Sequence, residues 1–332
     1  VFREVYEEAL PEAKQGRDYG WLVRNCAIKK PNQSINKNEP VFSVTVVHLQ
    51  QDQYFALVVS LNHMIGDGHT FYRLYGMLNK TTPVRSLIIT RHVENLEKVS
   101  KICKEDHDFS QTFAFMFNII GGMIRAKVCT LRYGAVSNAY ISDMKKKHAA
   151  SSSSSGGGSQ FISTNDIVTS EFFKVCTADV GLMAINFRNR IDGLTTDYAG
   201  NYENILCYQK EDFAEPRLIR QSLALDKMKR AVTTDSPLVP GFFRKCRSRV
   251  GFITNWAGLY EHIDMEGCEH IMHTPLYDLD KAPFAFAIIY KMSKDITGLL
   301  TCEDRTCYLD DLKSSGLLKS ETDPSAMMSP PK

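Results

Sequence analysis

Leu61-Asn62-His63-Met64-Ile65-Gly66-Asp67-Gly68 sets a histidine four residues ahead of an aspartate flanked by glycines. Two runs precede it, Phe42-Ser-Val-Thr-Val-Val-His-Leu49 and Tyr54-Phe-Ala-Leu-Val-Val-Ser-Leu61, separated by the polar Gln50-Gln51-Asp52-Gln53. Both are rich in β-branched residues, and together they predict a β-hairpin whose second strand runs straight into His63. Beyond the motif, Phe71, Leu74, Tyr75 and Leu78 recur at helical spacing and predict a helix over 70–79. The motif therefore lies on a strand–loop–helix corner. Gly66 and Gly68 let the backbone turn tightly there and let a ligand approach it.

A histidine at such a corner is suited to taking up a proton, because its ordinary pKa lies near 6.5. Asp67 admits two readings. It can point at the imidazole, as in a catalytic triad, or turn away to pair with an arginine and hold the loop's shape. The spacing does not choose between them, and a histidine before Asp-Gly also occurs in ordinary turns. His69 reads as a polar residue of the helix start.

The rest of the chain bounds the problem. Its 332 residues suffice for one large domain or two ordinary ones with a substantial core. A net charge of +2 is too small to argue for nucleic acid, and no nucleic-acid partner is expected. The nine cysteines are odd in number and contain no C-x-x-C pair, and Cys302 and Cys307 fit no zinc spacing. Reduced thiols are expected, and with them the cytoplasm or a reducing organelle. Val1-Phe2-Arg3-Glu4 does not read as a secretory signal, and a removed targeting peptide stays open. His262, Cys268, His270 and His273 are spaced poorly for metal ligands, so no metal site is expected.

Phe113 to Ile124 is an apolar run of about a dozen residues, short of the ~20 that span a bilayer. A core helix or a lid is expected, with an interfacial helix or acyl-chain contact as the alternative. Ala149 to Ser159 is a Ser/Gly stretch, so the expected organisation is an N-terminal lobe at 1–148, a flexible linker at 149–160, a C-terminal lobe at 161–320 and a disordered tail at 321–332. Ser163-Thr164-Asn165-Asp166 caps a helix over 167–176. A helix is expected at 216–231, with strands at 181–186, 250–254, 284–290 and 298–302. The mixture lacks strict βαβ alternation, which gives an α/β class with mixed sheets.

The segment His63-Met-Ile-Gly-Asp67-Gly68 resembles the H-x-x-x-D-G signature of the chloramphenicol acetyltransferase-like superfamily of CoA-dependent acyltransferases. Further segments resemble its BAHD branch in order and approximate spacing. They are Ala139 to Lys145, Ser163 to Ser170, Asn186-Phe-Arg188-Asn-Arg190 for D-x-R-x-R, Tyr198-Ala-Gly200-Asn201 for [YF]-x-G-N, and Thr254-Asn255-Trp256 for T-S-W. There are departures. Ile263 to Gly267 stands where D-F-G-W-G is usual, Asn62 replaces a histidine, Asn186 replaces an aspartate, and only 62 residues precede His63.

The resemblance implies two similar lobes of mixed sheet flanked by helices, with a channel between them. It implies an acyl transfer from acyl-CoA to an acceptor hydroxyl, or to an amine, by direct attack without an acyl-enzyme. His63 would be the general base, with Asp67 and Gly68 completing its motif and Arg188 pairing Asp67. Asn201 would support the site, Thr254 would hydrogen-bond the oxyanion, and Asn255 and Trp256 would contact substrate. No bound cofactor is implied; the CoA thioester is a co-substrate. Arg244, Lys245, Arg247 and Arg249 are candidates for its phosphates, with a solvated charged turn as the other reading, and Lys227 to Arg230 is a weaker candidate. The expected partners are acyl-CoA and a small, apolar acceptor, and the expected state is a monomer. Peripheral membrane or larger-complex contact stays open. The missing D-F-G-W-G keeps an alternative alive: a catalytically silent member serving as a binding or assembly subunit. Transfer from a carrier-protein thioester is a third reading.

Overall fold

A computed structural model describes residues 2–6, 19–34, 36–49, 54–125, 130–154, 161–224, 228–234, 238, 241–276, 282–303 and 308–319. By packing, the chain divides into two compact units. One comprises Val1–Arg91, Thr195–Tyr202 and Leu259–Asp278; the other comprises His92–Leu194, Glu203–Gly258 and Leu279–Lys332. This division differs from the lobes expected at 1–148 and 161–320: it falls after Arg91, and two later segments join the first unit. Helices accompany a sheet in each unit, in keeping with the expected α/β class.

In the first unit, β1 (Phe2–Tyr6), α1 (Tyr19–Cys26) and α2 (Pro31–Ser34) precede β2 (Phe42–Leu49), β3 (Tyr54–Leu61) and α3 (Gly68–Gly76). The expected hairpin is present, Phe42 facing Leu61 and Leu49 facing Tyr54, and β1 runs parallel along the other edge of β2. The alternation in β2 buries Ser43, Thr45 and Val47. Val47 and Val58 pack with Leu22 and Cys26 of α1. The two polar residues survive in this core because each has a partner. Thr45 Oγ1 donates to the Cys26 carbonyl at 3.0 Å, and the Ser43 and Ser60 hydroxyls meet at 2.9 Å.

The second unit comprises α4 (Val93–Ile102), α5 (Lys104–Ser110), α6 (Phe113–Arg125), β4 (Thr130–Ala135), α7 (Asn138–Ser154), α8 (Thr164–Val175), β5 (Val180–Asn186), β6 (Glu203–Tyr208), α9 (Pro216–Ser222), α10 (Phe242–Arg247), β7 (Val250–Asn255), β8 (Ala285–Lys291), β9 (Thr297–Glu303) and α11 (Tyr308–Ser314). Its sheet runs in the order β4-β9-β8-β7-β5-β6, with parallel pairs at β5–β7 and β7–β8 and antiparallel pairs elsewhere. The central β8, Ala-Phe-Ala-Ile-Ile-Tyr-Lys, buries all but its last residue, which is why it reads as a continuous apolar run rather than an alternation. Ser163 and Asp166 form the reciprocal capping box that starts α8.

Several expectations change. The helix read at 216–231 stops at Ser222, where tertiary partners override propensity. Arg190 donates to the Leu223 carbonyl at 3.3 Å, Met228 takes φ +39, and the Asp212 carboxylate accepts the Val232 and Thr233 N–H groups at 2.9 Å each. Helix α7 continues through Ser154 into the stretch read as linker, with the Ser151 hydroxyl donating back to the Lys147 carbonyl at 2.9 Å. Residues 155–160 and the tail 321–332 lie outside the described residues. Cys302 is disulfide-bonded, unlike the reduced thiols expected, whereas Cys26, Cys103, Cys176, Cys207, Cys246 and Cys268 are free. Of the readings held for α6, that of a fully buried core helix does not fit: it buries Ala114, Phe115, Asn118 and Gly122 but exposes the apolar face between them.

Candidate active site

The loop after β3 is built to present one side chain. Asn62 is buried, its Oδ1 accepts the Met64 N–H at 3.1 Å, and its carbonyl accepts the Ile65 N–H at 3.0 Å. This side-chain turn swings the chain out at His63, which is exposed. Gly66 is required by close approach, since a Cβ there would lie 2.7 Å from Thr70 Cγ2.

Asp67, 2% exposed, is the N-cap of α3. Its Oδ1 accepts the Thr70 N–H at 3.0 Å and the Thr70 hydroxyl at 3.1 Å, and its Oδ2 accepts the Tyr202 N–H at 3.0 Å. A carboxylate beside the first turn also suits the helix dipole. Gly68 is the first residue of α3. These bonds are the work of a scaffold, and they bind the histidine loop to the segment 195–202 within the same unit. Asn201 completes the tie: its Nδ2 donates to the His63 carbonyl at 2.9 Å. Gly200 adopts φ +130, a conformation side chains resist, and exchanges hydrogen bonds with the Thr70 hydroxyl at 3.0 and 3.1 Å. His69 is no exposed second base; it is buried and its Nε2 meets the Thr196 carbonyl at 2.9 Å.

Three partners in this loop escaped the sequence reading: Thr70, Tyr202 and Arg91, whose guanidinium donates to the Met64 carbonyl at 3.2 Å. Thr70 had a signal, since it stands three residues after a capping aspartate. Tyr202 acts through its backbone N–H, which any residue but proline supplies.

The second unit holds the remaining candidates. Arg188, 4% exposed, is held by Asn186, whose Oδ1 accepts both its N–H and its guanidinium at 3.1 Å. Thr254 stands near the end of β7 beside Ile288 of β8, half-buried, and its hydroxyl makes no hydrogen bond among the described residues. Asn255 is engaged structurally: its Nδ2 donates to Asn165 Oδ1 at 3.0 Å and its Oδ1 accepts the Ala257 N–H at 2.9 Å. The Trp256 N–H donates to the Ile289 carbonyl at 2.8 Å, which continues the β7–β8 pairing one residue past the strand.

The four basic candidates separate. Arg244 and Arg247 line a pocket of about 380 Å³ with Lys210, Gln209, Asp179, Glu211, Phe243 and Ser248. Lys245 instead lies over the Phe109 ring, 5.8 Å from its centroid, and Arg249 pairs with Asp179 at 3.8 Å. Of the weaker candidate run, Arg230 is buried and paired with Glu105. Among the described residues no group of three or more His, Cys, Asp or Glu side chains could hold a metal ion. His262 and His270 stack at 4.8 Å, and His273 packs on Tyr260 at 4.9 Å. Burial, followed by the neighbouring His262, lowers the pKa of His270, while burial pushes the Tyr260 hydroxyl up to about 12.

No family model matches the sequence, and no curated protein matches it. Solved structures do match. Vinorine synthase superposes with a TM-score of 0.56 at 14% identity, over 92% of this chain and 71% of that one. F. graminearum TRI101, complexed with coenzyme A and T-2 mycotoxin, gives a TM-score of 0.53 at 13% identity, over 94% of this chain and 79% of that one. The EpoB cyclization-docking bidomain from Sorangium cellulosum gives 0.51 at 11% identity, over 95% of this chain and 68% of that one. At these identities the likeness is one of fold.

Proposed function

Because the chain has the fold of CoA-dependent acyltransferases such as vinorine synthase and TRI101, we propose that it transfers an acyl group from an acyl-CoA to an acceptor hydroxyl. The observation that carries this reading is the His63 loop. An exposed imidazole projects from a backbone fixed on both sides, by Asn62 within the turn and by Asn201, Arg91 and Asp67 behind it. Such fixing is what a general base needs, because proton transfer in the transition state depends on position before it depends on pKa.

In this mechanism His63 takes the acceptor's proton as its oxygen attacks the thioester carbonyl. The carbonyl becomes a tetrahedral oxyanion, for which the family resemblance names the Thr254 hydroxyl as hydrogen-bond donor. Collapse re-forms the carbonyl as an ester and expels the CoA thiolate. The imidazolium returns its proton to that sulfur, so free CoA leaves and His63 is neutral again. Asp67 and Asn201 hold the loop and take no proton. Gly68 begins the helix that follows it, and Trp256 is the substrate contact beside Thr254. Arg244 and Arg247 take the CoA phosphates, at the far end of the co-substrate from the thioester.

The test is release of free thiol from acetyl-CoA and from a long-chain acyl-CoA, with and without small alcohols, by wild type and Thr254→Val. Alcohol-dependent release that drops about 10²-fold in the variant supports the reading, in line with the loss of one oxyanion donor. CoA thioesters that neither bind nor turn over reject it in favour of the silent binding subunit.

A further inference from the structure

An ordinary surface helix turns polar residues outward. Helix α6 does not. Its inner face is Ala114, Phe115, Asn118 and Gly122. Its outer face carries Phe113, Phe117, Ile120 and Ile124, exposed by 81, 57, 50 and 76%. Helix α10 packs beside it and extends the patch with Phe242 and Phe243, exposed by 52 and 76%. The Phe117 and Phe242 rings stand 6.5 Å apart, and those of Phe242 and Phe243 5.8 Å, so the six side chains form one aromatic and aliphatic surface.

The charge carried by these two helical stretches themselves has one sign, while α5, packed against α6, brings the exposed Glu105 and Asp108 nearby. Neither 112–125 nor 241–249 contains an acidic residue, while Arg125, Arg244, Lys245, Arg247 and Arg249 all fall in these two stretches. Asp179 and Glu211 are the carboxylates of the neighbouring pocket, where Asp179 pairs with Lys210 at 3.0 Å and with Arg249 at 3.8 Å, which leaves Arg125, Arg244 and Arg247 as the exposed cations of the face. A large apolar patch with a cationic rim is the arrangement that lays a helix into a bilayer interface, apolar face in the acyl boundary and cations at the headgroups. A spanning segment is not involved: among the described residues no helix is long and apolar enough to cross a membrane.

We propose that the α6–α10 face docks this protein on a membrane surface rich in anionic lipid. The face shares Arg244 and Arg247 with the pocket proposed for the CoA phosphates, but its inserting side chains, Phe117, Ile120 and Ile124, belong to no other site, so vesicle binding tests it whether or not the acyl-transfer reading holds. The cations draw the face to negatively charged headgroups, and the phenylalanines and isoleucines then insert.

Cosedimentation of the full chain with phosphatidylcholine vesicles, with and without phosphatidylserine, tests this, using wild type, Phe117→Ser/Ile120→Ser and Ile124→Ser. These positions are exposed, so circular dichroism is expected to show an unchanged fold; Ile124→Ser serves if the double variant misfolds. The expected result is binding to serine-containing vesicles that weakens with salt and falls at least tenfold in the variants, with little binding to phosphatidylcholine alone. Absent binding, binding unchanged in the variants, or equal binding to neutral vesicles overturns the proposal. So does a wild-type dimer that the variants convert to monomer without any vesicle binding, which assigns the face to a second copy of the chain.

Discussion

Replacing Asp67 by alanine separates the two roles an aspartate can play beside a histidine. In the structure its oxygens cap α3 at Thr70 and hold the Tyr202 N–H, each at 3.0 Å. Loss of an N-cap costs ~1 kcal/mol. A buried Tyr202 N–H left unpaired costs about 2 kcal/mol more. The Thr70 hydroxyl keeps its bonds to Gly200 and adds little. The sum, ~3 kcal/mol, corresponds to about 100-fold faster amide hydrogen exchange at 1.4 kcal/mol per tenfold. The acceleration is expected at Thr70 and Tyr202, with the amides of β8 in the other unit unchanged. Asp67→Asn keeps one acceptor and turns an amide NH₂ toward one of these N–H groups, so part of the acceleration is expected there too. Exchange at both amides identical to wild type in Asp67→Asn, together with a transfer rate lower by the ~10⁴ typical of a triad aspartate, would refute the scaffold role.

Asp106, buried beside Cys207, has its pKa raised to about 7, chiefly by burial. A raised carboxyl pKa means that the fold binds the proton, so this contribution is complete below the ordinary 3.8 and is lost as pH rises through about 7. At 1.36 kcal/mol per pKa unit the span is ~4 kcal/mol at most. Thermal midpoints at pH 5 and pH 8 are expected to differ less in Asp106→Asn than in wild type. For His270 the sign is reversed: its lowered pKa gives stability that is present above the ordinary 6.5 and lost as pH falls below it. His262→Gln, which removes the second cause, is expected to move the His270 ring titration upward by NMR. Gly66→Ala would set a Cβ 2.7 Å from Thr70 Cγ2 and is expected to cost ~2 kcal/mol by urea unfolding.

What the sequence made legible was local. The hairpin before His63 follows from alternation, α3 from the helical spacing of its apolar residues, α8 from its cap, and the central strands from continuous apolar runs. The position of Asp67 was legible and its role was not, because its Tyr202 partner is a backbone group 135 residues on. The end of α9 depends on Arg190 and Asp212, which lie outside the segment itself. The unit boundary was missed for the same reason: the segments 195–202 and 259–278 carry no mark of the unit they join. For α6 composition left a core helix, a lid and an interfacial helix open. Its apolar content suggested a core, yet one face is covered and the other is not, and periodicity cannot separate the two when both faces are apolar.

The central claim is that His63 is the base. Its most direct test is the rate of acyl transfer by His63→Ala at saturating acyl-CoA and acceptor, with CoA affinity measured alongside. The account predicts a kcat lower by 10²–10⁴ with CoA affinity unchanged. A variant that transfers as fast as wild type contradicts it.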